Sequence, residues 1–327
     1  MNSMRLPKFS YHEPTNLGEL LTIKQELKEN CALLAGGTDL IPMLKRRNRI
    51  APHVLNIKST PELSQISFSK EKGLHIGCAV TLRDIIEHRV VTEKYPLLGQ
   101  AAGAVGFNQV RNMATLGGNV CLDNKCSYFN QSSFWWTSRP DCFKRGGDRC
   151  YVVKGGKECF SLSAADTVSA LMVLDAELLI RGPENQRRVP VADFYTGNGR
   201  KPHVLREDEL VSAILIPPDG GGWKQGFLKK SARGSVDFSI ASLSVRLKMN
   251  GPIVEDARIA LNGVSTKPVR PAEAENYLKG KKVTDEIVAH AAETALKEIK
   301  PLSLIGCSAF LRRNVIRAMF EDLMASI

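Results

Sequence analysis

The sequence predicts an α+β protein of more than one domain. Two observations carry this. Strand-like and helix-like segments alternate irregularly through the first two-thirds of the chain. Beyond Gly220-Gly221-Gly222, two long alternating runs, 240–249 and 253–261, flank Asn250-Gly251 and are followed by helical segments. Asn-Gly between such runs is a strong β-hairpin signal, because both residues accept the positive φ of a type I′ turn. The chain has 327 residues, 43% hydrophobic and 24% charged, which is ordinary globular usage and argues against disorder.

In chain order, 32–34 is a short apolar strand, Gly36-Gly37 a turn, and Leu40, Ile41 and Leu44 begin a helix. Residues 54–57 and 74–78 read as two further strands. Thr81 and Asp84 form a capping-box pair for a helix over 82–89. Pro96 opens an apolar helix to Val105, which leads to Ala114-Thr115-Leu116-Gly117-Gly118-Asn119. Residues 123–160 differ in kind: they are turn-rich and hold four of the eight cysteines and eight of the 21 aromatic residues. Regular structure resumes with a helix over 167–173 and a strand near 177–180, so 123–160 reads as an insertion. Thr284 caps a helix over 285–299. The last helix, 309–325, carries Phe310, Leu311, Ile316, Met319, Phe320 and Leu323 as a packing stripe. Domain boundaries are placed at 1–220, with lobes at about 1–58 and 59–220, and at 221–327.

The net charge is +11. Basic runs stop at three residues (Lys45, Arg46, Arg47), without the clustering expected of a nucleic-acid binder. No stretch has the ~18 apolar residues needed to span a bilayer, and 1–11 lacks an apolar signal core. A cytoplasmic location is the expectation. Eight cysteines in such a chain point to metal or redox chemistry rather than disulfides.

The two double-glycine turns are the first chemical signal. Glycine permits close backbone approach and positive φ, so successive N–H groups can converge on an anion. One such turn is commonplace. Two, flanked by Thr38, Asp39, Thr115 and Asn119, can grip one pyrophosphate from both sides. Neither a G-x-G-x-x-G strand–helix fingerprint nor a Walker A sequence is present. Cys126, Cys142, Cys150 and Cys159 are separated by 15, 7 and 8 residues, unlike ferredoxin or zinc-finger spacing. Four thiolates suit a [4Fe–4S] cluster, a structural zinc ion is a rival, and inert packing is a third reading. Seven Lys/Arg against four Asp/Glu in 123–160 would favour thiolates. Cys31, Cys78 and Cys307 read as small buried residues, and Cys121 as part of the second glycine turn.

Leu34-Ala35-Gly36-Gly37-Thr38-Asp39-Leu40 and the segment from Gln109 to Asn119 resemble the two pyrophosphate loops of FAD subunits in the xanthine dehydrogenase, or molybdenum hydroxylase, family. Asp166, Lys229 and the segment 260–270 resemble further family motifs, in the right order and over nearly the whole chain. The resemblance implies an FAD module of vanillyl-alcohol-oxidase (PCMH) type, followed by an α/β domain of CO-dehydrogenase flavoprotein type. It implies FAD contacts from Leu33, Leu34, Ala35, Gly36, Gly37, Thr38, Asp39, Leu40, Val105, Ala114, Thr115, Gly118, Asn119, Asp166 and Lys229. The segment 119–132 and the Trp135-Trp136 pair are similar to the 4-hydroxybenzoyl-CoA reductase branch, whose insert carries a [4Fe–4S] cluster on four cysteines. That resemblance, rather than the spacing, assigns the cluster to Cys126, Cys142, Cys150 and Cys159. It further implies an electron-transfer subunit without catalytic residues of its own. The implied partners are a molybdopterin subunit, a subunit with two [2Fe–2S] clusters, and ferredoxin, in a dimer of heterotrimers serving aromatic catabolism. The alternative is the FAD subunit of another family hydroxylase or dehydrogenase with a different substrate and acceptor.

Overall fold

The computed structural model describes residues 5–234, 236–304 and 306–327; residues 1–4 of the N-terminal segment lie outside it. Strands β1 (Ser10–His12), β2 (Cys31–Leu34) and β3 (His53–Asn56) form a parallel sheet in the order β1-β3-β2. Parallel neighbours require crossovers. Helix Leu17–Leu27 supplies the first and helix Leu40–Lys45 lies within the second.

A second sheet is antiparallel. It joins β4 (Ile66–Ser69), β5 (Gly73–Gly77), β6 (Glu177–Arg181), β7 (Gln186–Pro190) and β8 (Leu210–Ile216) in the order β4-β5-β8-β6-β7. Its apolar residues Leu74, Ile76, Leu178, Ile180 and Ile214 are buried in one core with Leu97, Leu98, Val168 and Leu171 from the helices over it. The C-terminal sheet is an antiparallel meander of β9 (Trp223–Ser231), β10 (Ser239–Asn250) and β11 (Ile253–Asn262). Gly251 takes φ +57° at the predicted turn. Helices Ala272–Leu278, Asp285–Ile299 and Ala309–Ser326 pack beside this sheet around a separate core. The architecture is the predicted α+β arrangement.

Several local expectations need correction. The helix over 82–89 ends at Glu87, because His88 is extended (ψ 121°), and a second helix runs over Arg89–Lys94. Thr81 does accept from the Asp84 N–H at 3.1 Å, but the Asp84 carboxylate takes up the Thr81 hydroxyl at 2.6 Å. The helix from Pro96 stops at Gly103. Gly117-Gly118, read as a turn, lies in the short helix Leu116–Val120, which Thr115 caps. In the last helix Ile316, Met319, Phe320 and Leu323 are buried, whereas Phe310 and Leu311 are 74% and 46% exposed.

Residues 123–160 contain little regular structure beyond helix Ser133–Trp136 and a single turn at Phe143–Arg145. Phe129 and Trp136 pack on Met43 of the first lobe, and Asn48 Nδ2 donates to the carbonyls of Phe129 and Gln131 at 2.9 and 3.0 Å. Lys125 exchanges two backbone hydrogen bonds with Leu162, both 2.8 Å.

Candidate functional site

The two glycine turns lie against each other. A Cβ on Gly36 would stand 1.9 Å from the Met113 carbonyl oxygen, and one on Gly118 3.7 Å from Ala35 Cβ. Gly37 has φ +70°, the left-handed conformation that a side chain disfavours. Thr115 accepts from the Gly118 N–H at 3.0 Å, which fixes the second turn. Asn119 Oδ1 in turn receives the Thr167 N–H and hydroxyl, at 3.2 and 2.6 Å, which ties that turn to helix Thr167–Val173.

These turns open on a cavity of about 750 Å³, within the range of small-molecule and cofactor sites. Leu33, Ala35, Gly36, Gly37, Thr38, Asp39, Leu40, Val105, Ala114, Thr115, Gly118, Asn119 and Asp166 all line it. Leu34 does not: it points to the opposite face of β2, against Ala32, Leu44 and Val54. Lys229 does not line it either. Its ammonium reaches the cavity residue Asp166 from behind, 2.6 Å from Oδ2, and also donates to the Ala104 carbonyl at 3.0 Å. Burial pushes the Asp166 carboxyl above the ordinary range, and Lys229 limits that rise. Asp166 Oδ1 is buried without a hydrogen-bond partner. A buried acceptor left unpaired costs about 1–3 kcal/mol; the neighbouring buried Ser239 hydroxyl or a donor from a ligand in the cavity can satisfy it. Ser169 and Ser244 (2.9 Å), and Asn262 Nδ2 on the Ala165 carbonyl (2.7 Å), hold the C-terminal sheet against this wall.

Other cavity residues carry no sequence motif. They include Lys125, Val236, Phe238 and His203. Lys125 sits in the insert, and its ammonium is 2.5 Å from Asp39 Oδ1. His203 stacks on Phe194 with 4.9 Å between centroids, and burial lowers its pKa to about 4. Cys31, Cys78 and Cys121 face the cavity as free thiols. Burial raises all three, Cys121 to about 12, so they are inert side chains in this setting. Cys31, Cys78 and Cys307 are buried, as the sequence suggested.

A second, smaller cavity lies inside the insert. Cys126, Cys142, Cys150 and Cys159 line it, with Tyr128, Phe129, Phe143, Tyr151 and Phe160, and Leu304 of the C-terminal domain closes one side. All four thiols are free. Backbone N–H groups point at their sulfurs: Tyr128 and Phe129 at Cys126, Lys144 and Arg145 at Cys142, and Val153 at Cys150 (3.3 Å). Burial raises the Cys126 and Cys142 thiols, and these N–H groups oppose that rise. Among the described residues, no group of three or more His, Cys, Asp or Glu side chains is placed to hold a metal ion. The basic character of the insert is partly internal. Lys125 and Lys144 are buried in ion pairs with Asp39 and Asp123, while Arg139, Arg149, Lys154 and Lys157 are exposed. No helix among the described residues is long and apolar enough to cross a membrane.

Residues 7–219 match the family described as the FAD binding domain in molybdopterin dehydrogenase, and residues 226–327 the CO dehydrogenase flavoprotein C-terminal domain. The glyceraldehyde dehydrogenase medium chain of Sulfolobus acidocaldarius is 30% identical over 315 residues, 96% of each chain. The carbon monoxide dehydrogenase medium chain of Hydrogenophaga pseudoflava is 29% identical over 90% of this chain and 88% of that one. The xanthine dehydrogenase FAD-binding subunit of Escherichia coli O157:H7 is 24% identical over 97% and 94%. Among solved structures, carbon monoxide dehydrogenase from Hydrogenophaga pseudoflava, lacking the Mo-pyranopterin moiety, superposes with TM-score 0.81 at 26% identity over 98% of both chains. The paired glycine turns, the cavity beside them and these matches agree: the chain belongs to the FAD-binding medium subunits of the xanthine dehydrogenase and carbon monoxide dehydrogenase family of oxidoreductases.

Proposed function

We propose that this chain is the electron-transfer subunit of a 4-hydroxybenzoyl-CoA reductase, with FAD in the large cavity and a [4Fe–4S] cluster in the insert. The observation that carries it is the convergence of Cys126, Cys142, Cys150 and Cys159 on one cavity. A zinc ion needs its ligands about 2.3 Å away, so its four sulfurs crowd together. A four-iron cube is wider and takes its four thiolates around a common space. The N–H groups aimed at three of the sulfurs support the same reading, since such bonds stabilise thiolates and tune a cluster.

The residues of the large cavity suit FAD. Backbone N–H groups around Gly36-Gly37-Thr38 hold the pyrophosphate, and Gly118, whose own N–H is taken by Thr115, leaves room for it. Leu33, Ala35, Asp39, Leu40, Val105, Ala114, Thr115 and Asn119 shape the cavity, and Leu34 holds β2 from its far side. Asp166 Oδ1 accepts a hydrogen bond from the flavin end, and Lys229 keeps that carboxylate oriented. When bound, the flavin links two-electron and one-electron chemistry, which suits a junction between carriers. Tyr128, Phe129 and Leu304 keep water from the sulfurs. The exposed Arg139, Arg149, Lys154 and Lys157 attract an acidic donor such as ferredoxin.

The partners on this reading are a molybdopterin subunit and a subunit with two [2Fe–2S] clusters, in a cytoplasmic dimer of heterotrimers. The substrate chemistry lies on the molybdopterin subunit. There, two electrons and two protons replace the phenolic C–O bond of 4-hydroxybenzoyl-CoA by C–H, releasing water and benzoyl-CoA. A second reading rests on the relatives, whose names specify glyceraldehyde, carbon monoxide and xanthine dehydrogenases: the chain then serves a different hydroxylase or dehydrogenase. An anaerobic assay of the purified complex with reduced ferredoxin separates them. Benzoyl-CoA formed from 4-hydroxybenzoyl-CoA supports the first; reduction of an acceptor by an aldehyde or purine, with no benzoyl-CoA, supports the second.

A further inference from the structure

Lys125 stands between the two cavities. Its side chain lines the large one, while the next residue, Cys126, lines the small one. One peptide unit links the two linings here. The wall is rigid. Lys125 is bonded in both directions to Leu162 at 2.8 Å, and Asn124 Nδ2 donates to the carbonyls of Ser161 (2.9 Å) and Thr266 (2.8 Å).

The charge of Lys125 has a specific place. Its side chain is 6% exposed and meets Asp39, directly after Gly36-Gly37-Thr38, at 2.5 Å. Unopposed, the Asp39 carboxylate would repel an anion gripped by that turn. An ammonium has three N–H donors, and Asp39 accepts one of them. Two remain for an anion in the cavity. Of the other cations lining the cavity, Lys24 is held by the carbonyls of Lys28 (2.7 Å) and Glu207, and Arg233 by Asp237 (3.1 Å); Lys28, Arg49 and Arg206 also line it, and Lys125 is the cation paired with Asp39 beside the first glycine turn.

We infer that Lys125, a residue of the cysteine-bearing insert, is the counter-cation for the dinucleotide's pyrophosphate, and that it makes flavin retention depend on the insert. This rests on the FAD reading of the large cavity. The first glycine turn is neutral and supplies N–H donors, while Asp39 beside it is anionic. Lys125 cancels that charge and offers its remaining donors, and the backbone carrying Cys126 holds it in place.

The test is Lys125→Met and Lys125→Arg in the full complex, with FAD and riboflavin titrated into flavin-depleted protein and iron counted in each. The expected result is FAD affinity at least tenfold weaker in Lys125→Met, riboflavin affinity unchanged, iron content unchanged, and near-normal FAD affinity in Lys125→Arg. Because riboflavin lacks the pyrophosphate, an equal loss of both ligands would mean a general packing role and overturn the inference. So would unchanged FAD affinity in Lys125→Met, or loss of iron together with FAD. If the wild-type complex takes up no FAD, the FAD reading itself falls, and this inference with it.

Discussion

The Lys229 ammonium, on β9 of the C-terminal sheet, lies 2.6 Å from Asp166 Oδ2 in front of helix Thr167–Val173 of the N-terminal module. The two side chains are 12% and 8% exposed. Removing one partner of a buried pair leaves the other charge uncompensated and costs about 3–5 kcal/mol. Lys229→Met is therefore expected to destabilise the protein by that order, and Asp166→Asn with Lys229→Met to recover part of the loss. Urea unfolding of the wild type and these two variants measures this. A Lys229→Met variant as stable as wild type would mean that the pair contributes nothing.

Gly36 and Gly118 separate steric from conformational effects. A methyl at Gly36 collides with the backbone of Met113 and Ala114, which cannot move without shifting the second turn. At Gly118 the nearest atom is the Thr115 hydroxyl, at 3.1 Å. Gly36→Ala is expected to abolish FAD retention and Gly118→Ala to weaken it only severalfold. Gly118→Val, with a larger side chain, and Gly37→Val, which strains φ +70°, are expected to lose FAD. Flavin content per chain after gel filtration is the readout, and normal content in Gly36→Ala would contradict the role given to the paired turns.

Cys142 is buried in the insert and faces its cavity, away from the glycine turns. Cys142→Ser is expected to lose the iron while keeping FAD, as judged by iron assay and flavin absorbance on the same sample. Loss of both would make the cysteine set a structural support for the whole module.

His203 gives a signed pH dependence. Burial lowers its pKa from 6.5 to about 4, with Asp123 opposing and Lys144 adding to the shift. Between these values the unfolded chain binds a proton that the folded chain does not, so stability rises with pH. The contribution is present above about 6.5 and is lost as pH falls toward 4, to a total of about 3 kcal/mol at 1.36 kcal/mol per unit. In His203→Phe, which keeps a ring against Phe194, the unfolding midpoint should fall less between pH 7 and 5 than in wild type. Equal falls would remove His203 as the cause.

Elements with strong local signals were legible in the sequence. The Asn250-Gly251 hairpin, the helix Asp285–Ile299 with Thr284 as its cap, and Thr167–Val173 follow from turn chemistry, capping and apolar content. Strand β7, Gln-Arg-Arg-Val-Pro, was not, because it is an edge strand with only Val189 buried. Strand β9 is masked by Lys224, Lys229 and Lys230, and Lys229 becomes intelligible only beside Asp166. Phe310 and Leu311 fit the apolar stripe of the last helix but are exposed, because the inward position in this turn is taken by Arg312, which donates to the carbonyls of Ile240 and Gly263. The glycine turns named the large cavity, yet nothing in the sequence pairs Lys125 with Asp39 across 86 positions. That contact exists because the insert folds back over the first lobe through Phe129 and Trp136.

Iron, acid-labile sulfide, zinc and FAD counted in one anaerobically purified sample test the two-cofactor reading most directly. Four iron and four sulfide per FAD, with zinc absent, is the predicted result, about one [4Fe–4S] cluster per chain. About one zinc per FAD and no iron would contradict it, making the insert a structural clip.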